Sequence, residues 1–142
     1  MALRSYNPKS SSLIAAGSII TGFASGTFIS IERNNDFATF TAGAQGEGTR
    51  VLSSDLSGKV TITLQQTAPS NAVLDAQRIA QELTGGGVFS FFFRDNDSAD
   101  TAFASTMYVV KAPTMEQANE ISNREWVLET DNLQMFIGGQ SL

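Results

Sequence analysis

Between Gly58 and Gln65 the apolar residues Val60, Ile62 and Leu64 alternate with Lys59, Thr61, Thr63 and Gln65. A period of two predicts a half-buried antiparallel strand with one dry face and one wet face. After Pro69 the period changes. Ala72, Val73, Ala76, Ile79, Ala80 and Leu83 fall on one side of a helical repeat, with Asp75, Arg78, Gln81 and Glu82 elsewhere, which predicts an amphipathic helix. Ser70 stands where its hydroxyl would accept hydrogen bonds from the first free amides, and Asp75 lies toward the positive helix end. Gly85-Gly86-Gly87 stops the helix, Gly85 being free to take the left-handed cap conformation.

The flanking segments read as strands. Leu13–Ala16 and Ile19–Thr21 surround Gly17-Ser18, which predicts a hairpin with glycine first in its turn. Thr27–Arg33 is rich in strand formers, and Asn34, Asn35 and Asp36 turn it into Phe37–Ala42. From Gly43 to Ser57 the alternation fails: glycines and scattered charges surround the isolated Val51, Leu52 and Leu56, predicting a long inter-strand loop of the kind that is usually functional. Val88–Phe93 carries apolar residues on both faces, which predicts cover on both, one of them from another subunit. Thr101–Lys111, Glu120–Thr130 and Leu133–Ile137 complete the set, separated by Asp95–Ser98, Pro113 and Asp131-Asn132. The sum is a mainly β chain, an antiparallel barrel or sandwich with one flanking α-helix, in a single domain over residues 1–142. Residues 1–12 read as a polar N-terminal arm.

Composition narrows the function. Charged residues make up only 16% of the chain, against about 25% in an average soluble domain, and so neutral a surface favours self-association. The net charge of −5 opposes nucleic-acid binding, which needs clustered Lys and Arg. With no Cys and no His, the chain has no thiolate and lacks both the usual general base and the commonest metal ligand. No cofactor is expected. The apolar run Leu13–Ile20 is too short and broken for a signal peptide, and no stretch approaches the ~20 apolar residues of a membrane helix. The expectation is a soluble protein, made in the cytoplasm and not inserted in a membrane.

The remaining chemistry is thin. Asp95, Asp97 and Asp100 alternate like a calcium loop but lack its central glycine and closing Glu. Glu125 and Glu129 share one strand face and look like a solvated or pore-lining row, not a glycosidase pair. A serine hydrolase would need a base, and none is placed for it.

Three segments, GFASGTFISIERNND from Gly22, SGKVTITLQQTAPSN from Ser57 and NREWVLETDNLQMFIGG from Asn123, resemble the inner tail tube proteins of contractile-tailed bacteriophages. The similarity extends over nearly the whole chain. It implies a tail-tube type β-barrel whose copies form six-membered rings, with rings stacking into a hollow tube inside the sheath. Implied partners are further copies of the chain, the tail sheath protein, and tape-measure and baseplate proteins. DNA would pass through the lumen without specific binding, and the site of action would be the virion. In such tubes a long loop reaches the adjacent ring, which points to Glu47, Arg50, Val51, Leu52, Asp55 and Leu56 as inter-ring contacts, ordered on assembly. Lys59, Thr61, Thr63 and Gln65 are the lumen-facing candidates, with the outer, sheath-facing wall as their alternative. The family's first turn would carry Asn-Gly where this chain has Ala16-Gly17, which leaves the turn type open. Two rivals stand beside this: a monomeric carbohydrate-binding β-sandwich, which would need exposed aromatics although Trp126 reads as core, and a completion or capping protein that closes a tube.

Overall fold

The structure is a computed structural model that describes residues 11–139 together with Leu3 and Asn7. Apart from those two residues and Ser11 and Ser12, the expected N-terminal arm lies outside the described residues.

The chain runs through β1 (Ser11–Ala15), β2 (Ser18–Ile19), β3 (Ile29–Arg33), β4 (Ala38–Ala42), β5 (Gly48–Leu52) and β6 (Gly58–Gln65). Helix α1 (Ser70–Thr84) follows, then β7 (Phe89–Asp95), β8 (Thr101–Lys111), β9 (Asn123–Thr130) and β10 (Gln134–Phe136). Seven strands pair in the order β2-β1-β7-β8-β9-β6-β3, with β10 added beside the first residues of β8. The sheet rolls on itself. Beyond β2 the chain reaches β6, where Phe23 bridges Leu64, Ala24 N–H donates to Thr63 O at 3.1 Å, and Gln65 N–H donates to Gly22 O at 2.8 Å. Curling in this way gives the inner faces a common core and leaves few strand edges bare.

Alternation along each strand decides what enters that core. Val60, Ile62 and Leu64 of β6, Trp126 and Leu128 of β9, Met107 and Val109 of β8, and Leu13 and Phe91 of β1 and β7 are buried there. The triple phenylalanine divides accordingly: Phe91 is fully buried, while Phe92 and Phe93 are half-buried.

Four expectations change. The first turn is Ala16-Gly17, with Ile14 facing Ile19 and Ala15 facing Ser18, and both turn residues have positive φ (54° and 77°). It is therefore a type I′ hairpin with glycine second, the geometry that matches strand twist. Helix α1 is capped by Pro69 and not by Ser70; the Ser70 hydroxyl is diverted to accept the Thr21 N–H at 2.9 Å. Asp75 lies past the first helical turn and pairs with Arg78, which also holds Glu82 and whose pKa the two acids raise. The helix meets the core through Leu74 and Val73; of the expected buried face Val73 and Ala80 are half-buried, whereas Ala72, Ala76, Ile79 and Leu83 are exposed. The Gly85 cap takes the left-handed conformation as expected (φ 74°), its N–H donating to Gln81 O.

The fifth difference concerns residues 43–57. What the pattern presents as a loop contains β5, which pairs with β4 from Ala38↔Leu52 to Ala42↔Gly48 as a separate two-stranded hairpin.

Candidate functional site

The hairpin is the feature the barrel does not need. All five residues of β4 and all five of β5 are exposed, including Phe40 at 73% and Val51 and Leu52 at about half. Its tip is a β-turn in which Gly46 N–H donates to Gly43 O at 3.0 Å, with Gly46 at φ +83°, and Gly43 N–H donates to Glu47 O at 2.6 Å. The ring of Phe40 lies over Gly48, where a Cβ would overlap it, so the glycine makes room for the aromatic on the ladder. A two-stranded ribbon bare on both faces is marginal in water by itself.

The root of the hairpin is held by hydrogen bonds. Asp55 accepts from the Ser57 N–H at 2.9 Å and from Asn35 Nδ2 at 2.5 Å, while its own N–H donates to Ser53 Oγ at 3.1 Å. The Ser57 and Asn35 donors favour the ionised carboxylate and lower its pKa, the Ser57 backbone bond most. Asn34 ties the same junction to Ser57 by N–H to O at 3.1 Å and Nδ2 to Oγ at 3.1 Å. Leu56 is half-buried, bridges Asn132 and accepts the Leu133 N–H at 2.9 Å. The six expected contact residues thus separate: Glu47, Arg50, Val51 and Leu52 lie on the tip and return strand, whereas Asp55 and Leu56 anchor the root to their own chain. Phe37 and Phe40, 49% and 73% exposed, join the first group. Their strand was legible, but nothing in its spelling said that the rings face outward.

The second surface is the wet side of β6. Lys59, Thr61 and Thr63 are half-buried and Gln65 exposed, all on the face away from the core. Register sets Lys59 between Glu32 of β3 and Glu129 of β9, Thr61 between Ser30 and Val127, Thr63 opposite Glu125, and Gln65 opposite Asn123. Lys59 is therefore flanked by carboxylates, and with Lys111 of β8 opposite Val127 the wall is polar with three acids, Glu32, Glu125 and Glu129, against two lysines.

The other acids serve the turns. Asp95 accepts the Asp97 N–H at 3.0 Å and the Ser98 hydroxyl at 2.9 Å, Asp97 accepts the Asn7 N–H, and Asp100 accepts the Gly138 N–H at 2.8 Å. Trp126 is 3% exposed and donates its indole N–H to Asn71 Oδ1 at 2.9 Å, so it offers no aromatic platform for a sugar.

The model of the family described as Bacteriophage PhiTE tail tube protein matches residues 9–138. The chain belongs to that family. It is a structural protein of the phage tail, and its place is the virion. A curated relative, "Structural protein ORF10" of Pseudomonas phage KPP10, is 29% identical over 122 residues, 84% of this chain and 70% of the relative. Among solved structures, the anti-feeding prophage cap, described as the AFP tube terminating cap, aligns with a TM-score of 0.66 at 12% identity over 97% of this chain and 95% of that one. The PVC sheath/tube terminator of an extracellular contractile injection system aligns at 0.67 and 14%, over 96% and 99%. A chain of the PVC sheath-tube complex aligns at 0.64 and 13%, over 94% and 92%. At such identities the likeness establishes the tail-tube type fold and leaves assembly to other arguments.

Proposed function

We propose that this tail tube family member is the subunit of the tube itself: six copies close a ring, rings stack within a contractile sheath, and DNA leaves through the lumen. The observation that carries this is the hairpin. Ten paired residues project without cover from their own chain, and apolar side chains left bare on a ribbon call for a surface to bury them. Val51 and Leu52 with Phe37 and Phe40 would bury against the adjacent ring at about 1.5–3 kcal/mol for each fully covered side chain, Glu47 and Arg50 pairing at the rim. Asp55 and Leu56 hold the ribbon at its root. Each contact is modest, and repetition around a ring adds avidity.

The acidic-balanced wall of Lys59, Thr61, Thr63 and Gln65 suits a lumen, since carboxylates on either side of Lys59 keep phosphate from sticking. Sheath, tape-measure and baseplate proteins are the further partners of this reading, and synthesis takes place in the host cytoplasm. Electron microscopy of the purified protein tests it: hollow stacked rings are expected, and a monomer at high concentration with no tube in the virion built from this chain would overturn it. The second reading, a capping protein that ends a tube, draws on the comparable alignment with two terminating proteins. Single rings that never elongate would select it.

A further inference from the structure

A separate apolar surface crosses the outside of the barrel. Register aligns Ile19 of β2 with Ile14 of β1, Ile14 with Phe92 of β7, and Phe92 with Phe103 of β8. These residues point away from the core, and Ile19, Ile14 and Phe103 are 69%, 37% and 41% exposed. Three strand spacings make the row about 14 Å long. Its bare apolar area is on the order of 300 Å², the size at which a monomer's largest patch is commonly functional. Elsewhere on the chain, Ala72, Ala76, Ile79 and Leu83 form an exposed stripe along α1, about 16 Å long at the helical rise.

We propose that the stripe of α1 on one copy seats on the Ile19–Ile14–Phe92–Phe103 row of the next. The proposal rests on the tube reading and names the contact that joins neighbours around a ring. Length agrees, and so does charge. One rung along the same face stands Arg94, exposed, between Ser12 and Thr101, whereas the helix flank carries Asp75 and Glu82 against the single Arg78. A face with one cation meets a flank with one surplus acid. Because the two surfaces differ, the contact is head-to-tail, the kind that closes into a ring when its rotation divides the circle. Two rows packed on each other would instead stop at a dimer and leave both helix stripes bare.

The chain has no cysteine, so introduced thiols report the contact cleanly. Ile79→Cys and Phe103→Cys are made singly and together, assembled, checked by electron microscopy, oxidised mildly and run without reductant. The double variant is expected to give a ladder in steps of 15.2 kDa, and mixed single variants one cross-linked dimer. Dimers from Phe103→Cys alone, or particles without cross-links, would overturn the contact while leaving the tube intact. If the unsubstituted protein forms no particles, the tube reading fails and takes this contact with it. Phe103→Glu supplies a second arm: unchanged melting of the monomer with at least a tenfold loss of sedimenting assembly is expected, and undiminished assembly would overturn the proposal. Should that variant melt early, the cross-linking arm decides.

Discussion

Replacing Leu74 by Ala tests how the helix is attached. Leu74 has no exposed surface and is the one fully buried apolar residue of α1, with half-buried Val73 packed on the core beside it, so it is the main apolar anchor between helix and barrel. Removing it forfeits the transfer energy of the lost carbons and leaves a cavity into which the surrounding barrel relaxes only in part. Leu→Ala changes of this kind cost about 3–5 kcal/mol, a fall in Tm of roughly 10–17 °C for a domain of this size. Ile79→Ala is the control. Ile79 is 41% exposed, and the better helix propensity of Ala offsets part of the partial burial lost, so the expected cost is only about 1 kcal/mol. Both would be measured by urea unfolding followed by circular dichroism, at concentrations where the protein is monomeric, so that subunit contacts do not enter. Equal losses for the two variants, or less than about 1 kcal/mol for Leu74→Ala, would refute attachment of the helix through Leu74.

Ala16 holds a positive φ that non-glycine residues adopt at a cost, so Ala16→Asn should stabilise the monomer by about 0.5–1 kcal/mol; a lower Tm would contradict the type I′ turn. A Cβ at buried Gly58 would overlap the side chain of Leu133, and Gly58→Ala should therefore cost about 1–3 kcal/mol in chemical unfolding. Asn71→Ala would strand the buried indole N–H of Trp126, for a loss of about 1–3 kcal/mol, visible in the fluorescence of the only tryptophan. The pKa of Asp55 is lowered in the folded state, so its contribution to the hairpin root is fully present above the unfolded carboxylate pKa and disappears as pH falls through the lowered folded value; amide exchange at Ser57 should quicken over that acid range, and Asp55→Asn should flatten the dependence.

Where the chain covers its own residues, the sequence pattern was a sound guide. The alternation of Val60, Ile62 and Leu64 matches a strand whose apolar side is fully buried, and Trp126 and Leu128 entered the core as their spacing implied. The extent of α1 and its glycine stop were also legible. The helix cap was not, because Ser70 is claimed by the Thr21 backbone, 49 residues away in sequence, and no local motif encodes so distant a competitor. Nor was the side of α1 that faces the barrel: an apolar stripe announces that something will cover it without saying which chain supplies the cover.

Strand β5 carries no periodic signal for a related physical cause. Strand alternation arises only when one face is buried and the other wet, and in Gly48–Leu52 neither face is buried by its own chain. Its glycines read as loop for a related reason: Gly46 makes the turn at positive φ, and Gly48 yields space to Phe40. Local rules are expected to fail where function makes other demands. Here the failures fall on the hairpin and the outer stripe of α1, both rich in apolar side chains that the monomer leaves in water. A chain with so few charges would not keep such surfaces for solubility, and a barrel whose core is already complete does not need them for stability. In the proposed tube both would be buried by the next copy, and the missing periodicity of Gly43–Ser57 is what a strand covered by another molecule would show.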